Sequence, residues 1–553
     1  MSAPTPLISR TNSHYAHPMS SGEQPSRVAW RLPVSVRVSA WSAAAWVAIG
    51  ATAAFVALTC WWLSQDHAMP YGDAAEHLMT AFIFHEDLRS GDLLGPLTYD
   101  SVYTPLIPFI GSLAIFVGGR TVAAPVLAEN LVFVSLLALG CYHVGRLAFG
   151  RTAGALAVVF ALGSPLLIEQ FHVLMLDAPQ AALVAACVWL VLASDRFRRV
   201  DLAAAAGAAA GCGLIAKQSY ALYVAGFIVL VLLRGGLSNR RGLAAFLLVA
   251  FAIAAPWYAV HLTTAGTFTG AAGGGPTVPV LAKPPLLSLD NLLWYFWATA
   301  NGLLFAPLLM FALAGVGIAA VSVVRRRDPS DLTPELLGGL ALAWLALTVM
   351  PHHDLRYTMP LIVFVAVLAT GWIPRLKRTP RTATIALLAA AVVATTLGAT
   401  FGVGQRSDVP LPGNRFAPRG EGVPPSGELT VYAAHDLLVS GPRDGGDFLS
   451  LLKALRRAGV RDILWSDAQA PLWETDYNAN GLLTFARMAQ LQVPRGGAFD
   501  PAQLEARQAF MLRGPTLPGA GPPCARLPNG DGVWVSIGAP SPTALGWCAN
   551  RSE

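Results

Sequence analysis

Asp73, Glu76, Asp177, Lys217, Arg356 and the run His352-His353-Asp354 are the residues of this chain best suited to chemistry. Asp73 lies in Tyr71-Gly72-Asp73-Ala74-Ala75-Glu76-His77, directly after the first long apolar run, and Asp177 lies in Leu176-Asp177-Ala178-Pro179-Gln180 at the start of a later one. A carboxylate at a lipid boundary is costly to keep there. Asp73 could take a proton from a hydroxyl, and Asp177 could orient a base or acceptor or help hold a cation. An N-cap role is the plain alternative for both, with Pro179 well suited to a first helical turn. Lys217 ends Gly213-Leu214-Ile215-Ala216-Lys217 and interrupts an apolar hairpin, where an unpaired ammonium is expensive and a lipid phosphate would compensate it. Arg356 could grip phosphate oxygens with both arms of its fork. Snorkelling to lipid headgroups is the alternative for both cations. His352, His353 and Asp354, with Asp73 or Glu76, would offer donors for a divalent metal. A polar outer loop is the other account of that run.

Composition says what must position these groups. The chain has 553 residues, of which 54% are hydrophobic and only 13% charged, and its mean hydropathy is +0.52. An ordinary soluble domain carries about a quarter charged residues, and a disordered chain is far less apolar. The net charge of +6 comes from basic clusters in short loops, which report topology and predict no nucleic-acid partner. The six cysteines show no metal-ligand spacing. Cys60, Cys141, Cys187 and Cys212 lie in apolar runs and read as small core residues. The first apolar run, from about Ser39, is too long for a signal-peptide core and reads as a signal anchor.

A helix needs roughly 20 apolar residues to cross a bilayer. The runs 39–64, 124–146, 152–168, 177–194, 201–216, 219–234, 242–262, 300–323, 336–350, 358–374 and 383–403 qualify as spans. Basic residues near 10–37, 146–151, 196–199, 234–241, 325–327 and 375–381 fall on one side only with the N-terminus inside and about eleven spans. Residues 104–118 are then an interfacial helix on the outer surface rather than a crossing. The first outer loop runs over 65–123 and should hold a helix from about Asp73 to Leu88, with Leu78, Phe82 and Ile83 on its apolar face. Trp257, Tyr258, Trp294, Tyr295 and Trp297 read as interfacial anchors, and Glu169 and His172 as solvated or lining residues of an outer loop. Residues 1–38 read as a disordered cytoplasmic tail, 39–403 as the membrane domain, 404–427 as a Pro/Gly-rich linker and 428–553 as an outer α/β domain. On that oxidising side a Cys524–Cys548 disulfide is expected.

The order of these features resembles the GT-C superfamily of membrane glycosyltransferases, in particular the branch of protein O-mannosyltransferases and lipid A aminoarabinose transferases. Asp73 matches that branch's acid after the first span. Tyr103-Thr104-Pro105-Leu106 is similar to its Tyr-Pro-Pro-Leu, and Asp177-Ala178-Pro179 to its second acidic motif. Gly213 to Lys217 resembles its Gly-Leu-x-x-x-x-Lys with one residue fewer. Ala255-Pro256-Trp257-Tyr258 matches a Pro-Trp-Tyr, and Arg356-Tyr357-Thr358-Met359-Pro360 an Arg-Tyr-x-x-Pro. The chain departs in having Ala74, not Glu, after Asp73, and no motif of the branch is found in 428–553.

The resemblance implies a polytopic α-helical membrane protein of GT-C type, with about eleven transmembrane helices, outer-face interfacial helices and the small α/β domain. It implies a donor sugar on polyprenyl phosphate and an acceptor hydroxyl on a lipid, glycan or protein at the outer face of a bacterial inner membrane. Asp73 would be the base and Asp177 its support, with Lys217 and Arg356 on the phosphate and Tyr357, Glu76 and Tyr103 around the substrate. No cofactor is required, and the divalent metal considered above is an optional addition. The rival readings are a transporter or flippase for a lipid-linked substrate, against which the lack of internal repeats argues, and a catalytically silent assembly subunit.

Overall fold

The computed structural model describes residues 42–70, 72–99, 101, 103–262, 285–286, 288–325, 331–350, 353–411, 427–434, 442, 448–467, 479–491, 508–514, 524–526 and 532–537. The helices in chain order are α1 (Ala43–Gln65), α2 (Gly72–Ser90), α3 (Gly95–Thr98), α4 (Leu106–Gly118), α5 (Ala123–Glu129), α6 (Ser135–Phe149), α7 (Arg151–Leu162), α8 (Pro165–Gln170), α9 (Asp177–Ala193), α10 (Val200–Leu214), α11 (Tyr220–Leu233) and α12 (Arg240–Val260). They continue as α13 (Leu289–Ala298), α14 (Phe305–Arg325), α15 (Thr333–Val349), α16 (Ile362–Gly371) and α17 (Arg378–Phe401), followed in the C-terminal part by α18 (Phe448–Arg457) and α19 (Ala479–Met488). Widened π turns at Asn130–Val134 and Thr299–Leu303 join α5 to α6 and follow α13, and a 3₁₀ stretch, Leu355–Leu361, leads into α16.

Among the described residues six helical segments are long and apolar enough to cross a membrane: Ala43–Gln65, Ala123–Phe149, Arg240–Val260, Phe305–Arg325, Leu355–Arg375 and Arg378–Phe401. Shorter apolar helices, α7, α9, α10, α11 and α15 among them, pack between these. Helix α12 leaves Leu248 67% and Phe251 71% exposed, a surface suited to lipid rather than water. The chain is a polytopic helical membrane protein. Helix α4 has 13 residues, short of a crossing, and the Leu106 N–H donates to the Ile215 carbonyl at 3.1 Å, tying its start to the hairpin that carries Lys217.

The run expected to span 152–168 is broken in the structure. Helix α7 ends at Leu162 and α8 begins at Pro165, whose ring cannot continue a helix from the preceding turn. Ser164 fills the break by donating its hydroxyl to the Leu303 carbonyl at 2.7 Å. Elsewhere helices approach closely. A Cβ at Gly207 would lie 2.3 Å from the Phe246 carbonyl oxygen, so only glycine lets α10 meet α12 there.

Helix α9 carries Asp177 at one end, and Arg196 follows its other end. At that far end Glu335, with no side-chain exposure, accepts from Arg196 Nε at 3.1 Å and Nη2 at 2.7 Å and from Arg234 Nη1 at 2.8 Å. The backbone bends to allow it, with Asp195, Arg196 and Phe197 at φ of 53°, 54° and 70°. Glu335→Ala would take the buried carboxylate from both guanidiniums. It should destabilise the bundle by about 3 kcal/mol or more, read as a fall in the thermal midpoint of the purified protein, whereas an unchanged midpoint would mean that the clamp contributes nothing.

The C-terminal region is α/β. Strands β3 (Asp462–Asp467), β4 (Gln508–Gly514), β5 (Ala525–Arg526) and β6 (Gly532–Ile537) form one sheet in the order β3-β4-β6-β5, parallel between β3 and β4 and antiparallel otherwise. The segment read as a linker contains a strand, β1 (Ser407–Pro410), which pairs antiparallel with β2 (Glu428–Tyr432) in a separate two-stranded sheet. Proline at position 410 closes that strand, so a Pro/Gly-rich composition disguised it. Strand β2 is fixed to the membrane domain by Asn301, whose side chain donates to the Glu428 carbonyl at 2.9 Å and accepts from the Thr430 N–H at 2.8 Å.

Candidate active site

Helix α2 opens with Gly72 at φ +55°, a conformation that favours glycine, and puts Asp73 in its first turn. The exposed N–H groups of a helix start favour an anion there. Tyr103, which precedes α4, donates its hydroxyl to Asp73 Oδ1 at 3.1 Å. Arg356 Nη1 donates to Asp73 Oδ2 at 2.9 Å. The same guanidinium is held from behind by Asp354, which accepts from Arg356 Nε at 3.0 Å, Nη2 at 2.7 Å and the Arg356 backbone N–H at 2.9 Å. Asp354 thereby caps the 3₁₀ stretch and aims the arginine at α2.

Asp177 is the first residue of α9 and its side chain is 1% exposed. It is ion-paired with Lys217 Nζ. Gln180 Nε2 donates to Ser219 Oγ at 3.0 Å, which closes the same hairpin against α9. The Lys217 ammonium lies 4.9 Å from the centre of the Tyr357 ring, a cation–π distance. Tyr223 donates its hydroxyl to the Tyr357 carbonyl at 3.0 Å. The two ion pairs therefore meet at Arg356-Tyr357, and the cluster sets three carboxylates against two cations.

Burial pushes the Asp73 carboxyl up, but the charges of Arg356, His77 and Lys217 and the Arg356 hydrogen bond outweigh it and hold the group at about 2. Glu76, one turn along and half-buried, is raised by burial and by the Asp73 charge. His77 packs edge-on to Tyr103 at 4.6 Å between ring centres. Burial lowers it to about 4, with Lys217 and Arg356 adding to the effect against Asp73, so it is a neutral imidazole at pH 7. The Tyr103 phenol is raised by burial and by Asp73 and stays protonated, fit to donate.

The structure thus gathers Asp73, Glu76, Tyr103, Asp177, Lys217, Arg356 and Tyr357 at one end of the bundle. It adds His77 and Tyr223, which sequence reasoning did not select. Tyr295 and Trp294, read as interfacial anchors, are buried, and Tyr295 stacks on His353 at 5.1 Å with Trp294 edge-on to the same ring. Glu169 and His172 are buried, not solvated, with His172 stacked on Trp62 at 4.4 Å. Among the described residues no group of three His, Cys, Asp or Glu side chains could hold a metal. Asp354 has its oxygens engaged by Arg356, His353 is enclosed by aromatic rings, and His352 lies outside the described residues. Among the described residues the donor set does not fit a metal. Cys524 is disulfide-bonded; Cys548 lies outside the described residues.

Residues 102–259 match the dolichyl-phosphate-mannose-protein mannosyltransferase family. Among solved structures, the chain is similar to ArnT from Cupriavidus metallidurans bound to undecaprenyl phosphate, with 19% identity and a TM-score of 0.50 over 65% of this chain and 66% of that one. The same protein in its apo state matches at 19% identity and a TM-score of 0.46 over 64% of each chain. The chain therefore spans just under two thirds of that relative's length. No curated protein matches. The matched segment contains Tyr103, Asp177 and Lys217, and Asp73 and Arg356 meet them from outside it. The family match covers residues 102–259, less than half of the chain, and the likeness to the ArnT structure is one of fold.

Proposed function

We propose that this protein transfers one sugar from a polyprenyl-phosphate donor to an acceptor hydroxyl at the outer face of a bacterial inner membrane, with inversion at C1. The observation that carries the reading is the joined pair of ion pairs, the part-exposed Asp73–Arg356 and the more deeply set Asp177–Lys217, beside Tyr103 and Tyr357. The acceptor oxygen attacks C1 while the bond from C1 to the phosphate oxygen breaks. Asp73 receives the acceptor proton, and the electron pair leaves on the polyprenyl phosphate. Lys217 and Arg356 stabilise that departing charge, an electrostatic role preorganised by their carboxylate partners. A sugar already on phosphate has a good leaving group, so the chemistry asks little of a general acid.

An aspartate held at about 2 is ionised at pH 7 but is a weak base. Donor binding changes that balance in the right direction. A phosphate that draws on the Arg356 fork supplies negative charge beside the guanidinium and offsets its pull on Asp73. In this reading eleven spans put the N-terminus in the cytoplasm and residues 428–553 in the periplasm. The lipid part of the donor runs along the bundle's apolar flank, and the α/β domain faces the acceptor.

Proteoliposomes holding the protein and undecaprenyl-phosphate mannose, then other hexosyl and pentosyl donors, test this. Sugar appearing on an acceptor at the outer face, with release of undecaprenyl phosphate, is the expected result. Donor crossing the bilayer without sugar transfer would replace this reading with a flippase.

A further inference from the structure

The C-terminal domain meets the membrane domain on the helix that carries Asp73. Two points of contact lie along it and one just before its start. Met69, four residues before Asp73, is 2% exposed and belongs to the apolar core of the α/β domain with Phe448, Leu451 and Phe485. Thr484 of α19 donates its hydroxyl to the Ala75 carbonyl at 3.2 Å. Farther along, Glu86 is ion-paired with Arg487 of α19 and with Arg120, the latter at 3.2 Å. Arg120 also donates to the Arg487 carbonyl at 3.1 Å, so the three residues close a small ring.

Helical geometry shows what this does. Glu86 lies about three turns beyond Ala75 and on the same face of α2. Asp73, two residues before Ala75, is turned to nearly the opposite face, where Arg356 and Tyr103 hold it. Helix α2 is therefore gripped between the ion-pair site on one side and α19 on the other. A first-turn carboxylate moves with its helix, and misplacing a reacting group by about 1 Å can cost 10²-fold in rate.

We propose that the α/β domain is a brace for the catalytic helix, with Thr484 and Arg487 as positioning residues for Asp73. The proposal rests on the enzymatic reading above for its effect on rate, but its structural part stands on α2 and α19 alone. The domain's task at this contact is to fix the angle at which Asp73 meets Arg356 and the acceptor.

Hydrogen exchange and kinetics on the full chain in lipid nanodiscs decide it. Arg487→Ala should speed exchange of the α2 amides about tenfold relative to those of α12, by local loosening. With undecaprenyl-phosphate mannose or whichever donor supports transfer, its turnover should fall about tenfold while the donor KM stays within about threefold, as expected when orientation and not binding is lost. Arg487→Lys, which keeps the charge, should recover most of both effects. Thr484→Val, nearly isosteric, should give a smaller change in the same direction and serves if Arg487→Ala does not fold. Unchanged α2 exchange in both Arg487→Ala and Thr484→Val overturns the brace. So does exchange that rises equally in α2 and α12, or loosened α2 with full turnover. If the parent protein transfers no sugar from any donor, the enzymatic reading fails while exchange still decides whether α19 holds α2.

Discussion

Asp73→Asn is expected to abolish transfer, with a loss of about 10³-fold or more, and to leave the protein folded. A positioned base contributes about 10²–10⁴-fold, and the amide cannot take a proton from the acceptor. Folding should survive because the asparagine keeps the shape, can still accept from the Tyr103 hydroxyl and sits where the side chain is 36% exposed. The charge of Arg356 remains balanced by Asp354. The readings are sugar transfer in proteoliposomes and a thermal midpoint of the same sample. Full turnover in Asp73→Asn would remove Asp73 as the base. The pH dependence has a definite sign. Because the carboxyl is held at about 2, below its ordinary 3.8, its ion pair stabilises the fold above the ordinary value. That contribution is lost as pH falls from there through about 2. Any limb of the kcat/KM profile between pH 5 and 9, which reports the free enzyme, must then come from another group, whereas a limb in kcat reports the donor complex, in which Asp73 is raised.

Lys217→Met should lower turnover by about 10²–10³-fold, the usual scale for removing one preorganised stabiliser of a developing anion. It carries a second effect, because it strands Asp177, whose side chain is 1% exposed. Breaking a buried pair by removing one partner costs about 3–5 kcal/mol. Asp177→Asn in the same chain separates the two. The double variant should regain most of the stability and none of the turnover, since no cation is restored. Recovery of transfer with stability would show that Lys217 acts only as a structural counter-ion. The donor KM adds a check: loss of a phosphate contact made before the reaction raises KM, while a contact made only as the charge leaves lowers kcat.

The ionisable part of the site was legible because apolar sequence makes each charge conspicuous. Asp73, Asp177, Lys217 and Arg356 stand at helix ends where a charge needs a reason, and the structure brings them into one cluster. The aromatic and histidine part was not. Tyr223 and Tyr295 sit in apolar helices where a tyrosine signals nothing, and Tyr295 lies in a Trp-rich string that imitates an interfacial belt. His77 is read as an ordinary residue of an outer helix until its burial against Tyr103 is seen. Long helices came through hydropathy well, whereas the break at Ser164 depended on a tertiary partner, Leu303, that no local pattern reveals. The pairing of β1 with β2 was hidden by proline and glycine, and the grip of α19 on α2 joins segments about four hundred residues apart.

The side chain of Asn301 gives the small β1–β2 ribbon a property beyond attachment. One edge of β2 is taken by β1, and on the other Asn301 accepts from one backbone N–H and donates to one backbone carbonyl two residues away. That is the pair of bonds a neighbouring strand would offer. The amide stands in for a strand at the middle of that edge. Such edges can template association between chains, and here the edge is met by a single asparagine from the π turn Thr299–Leu303.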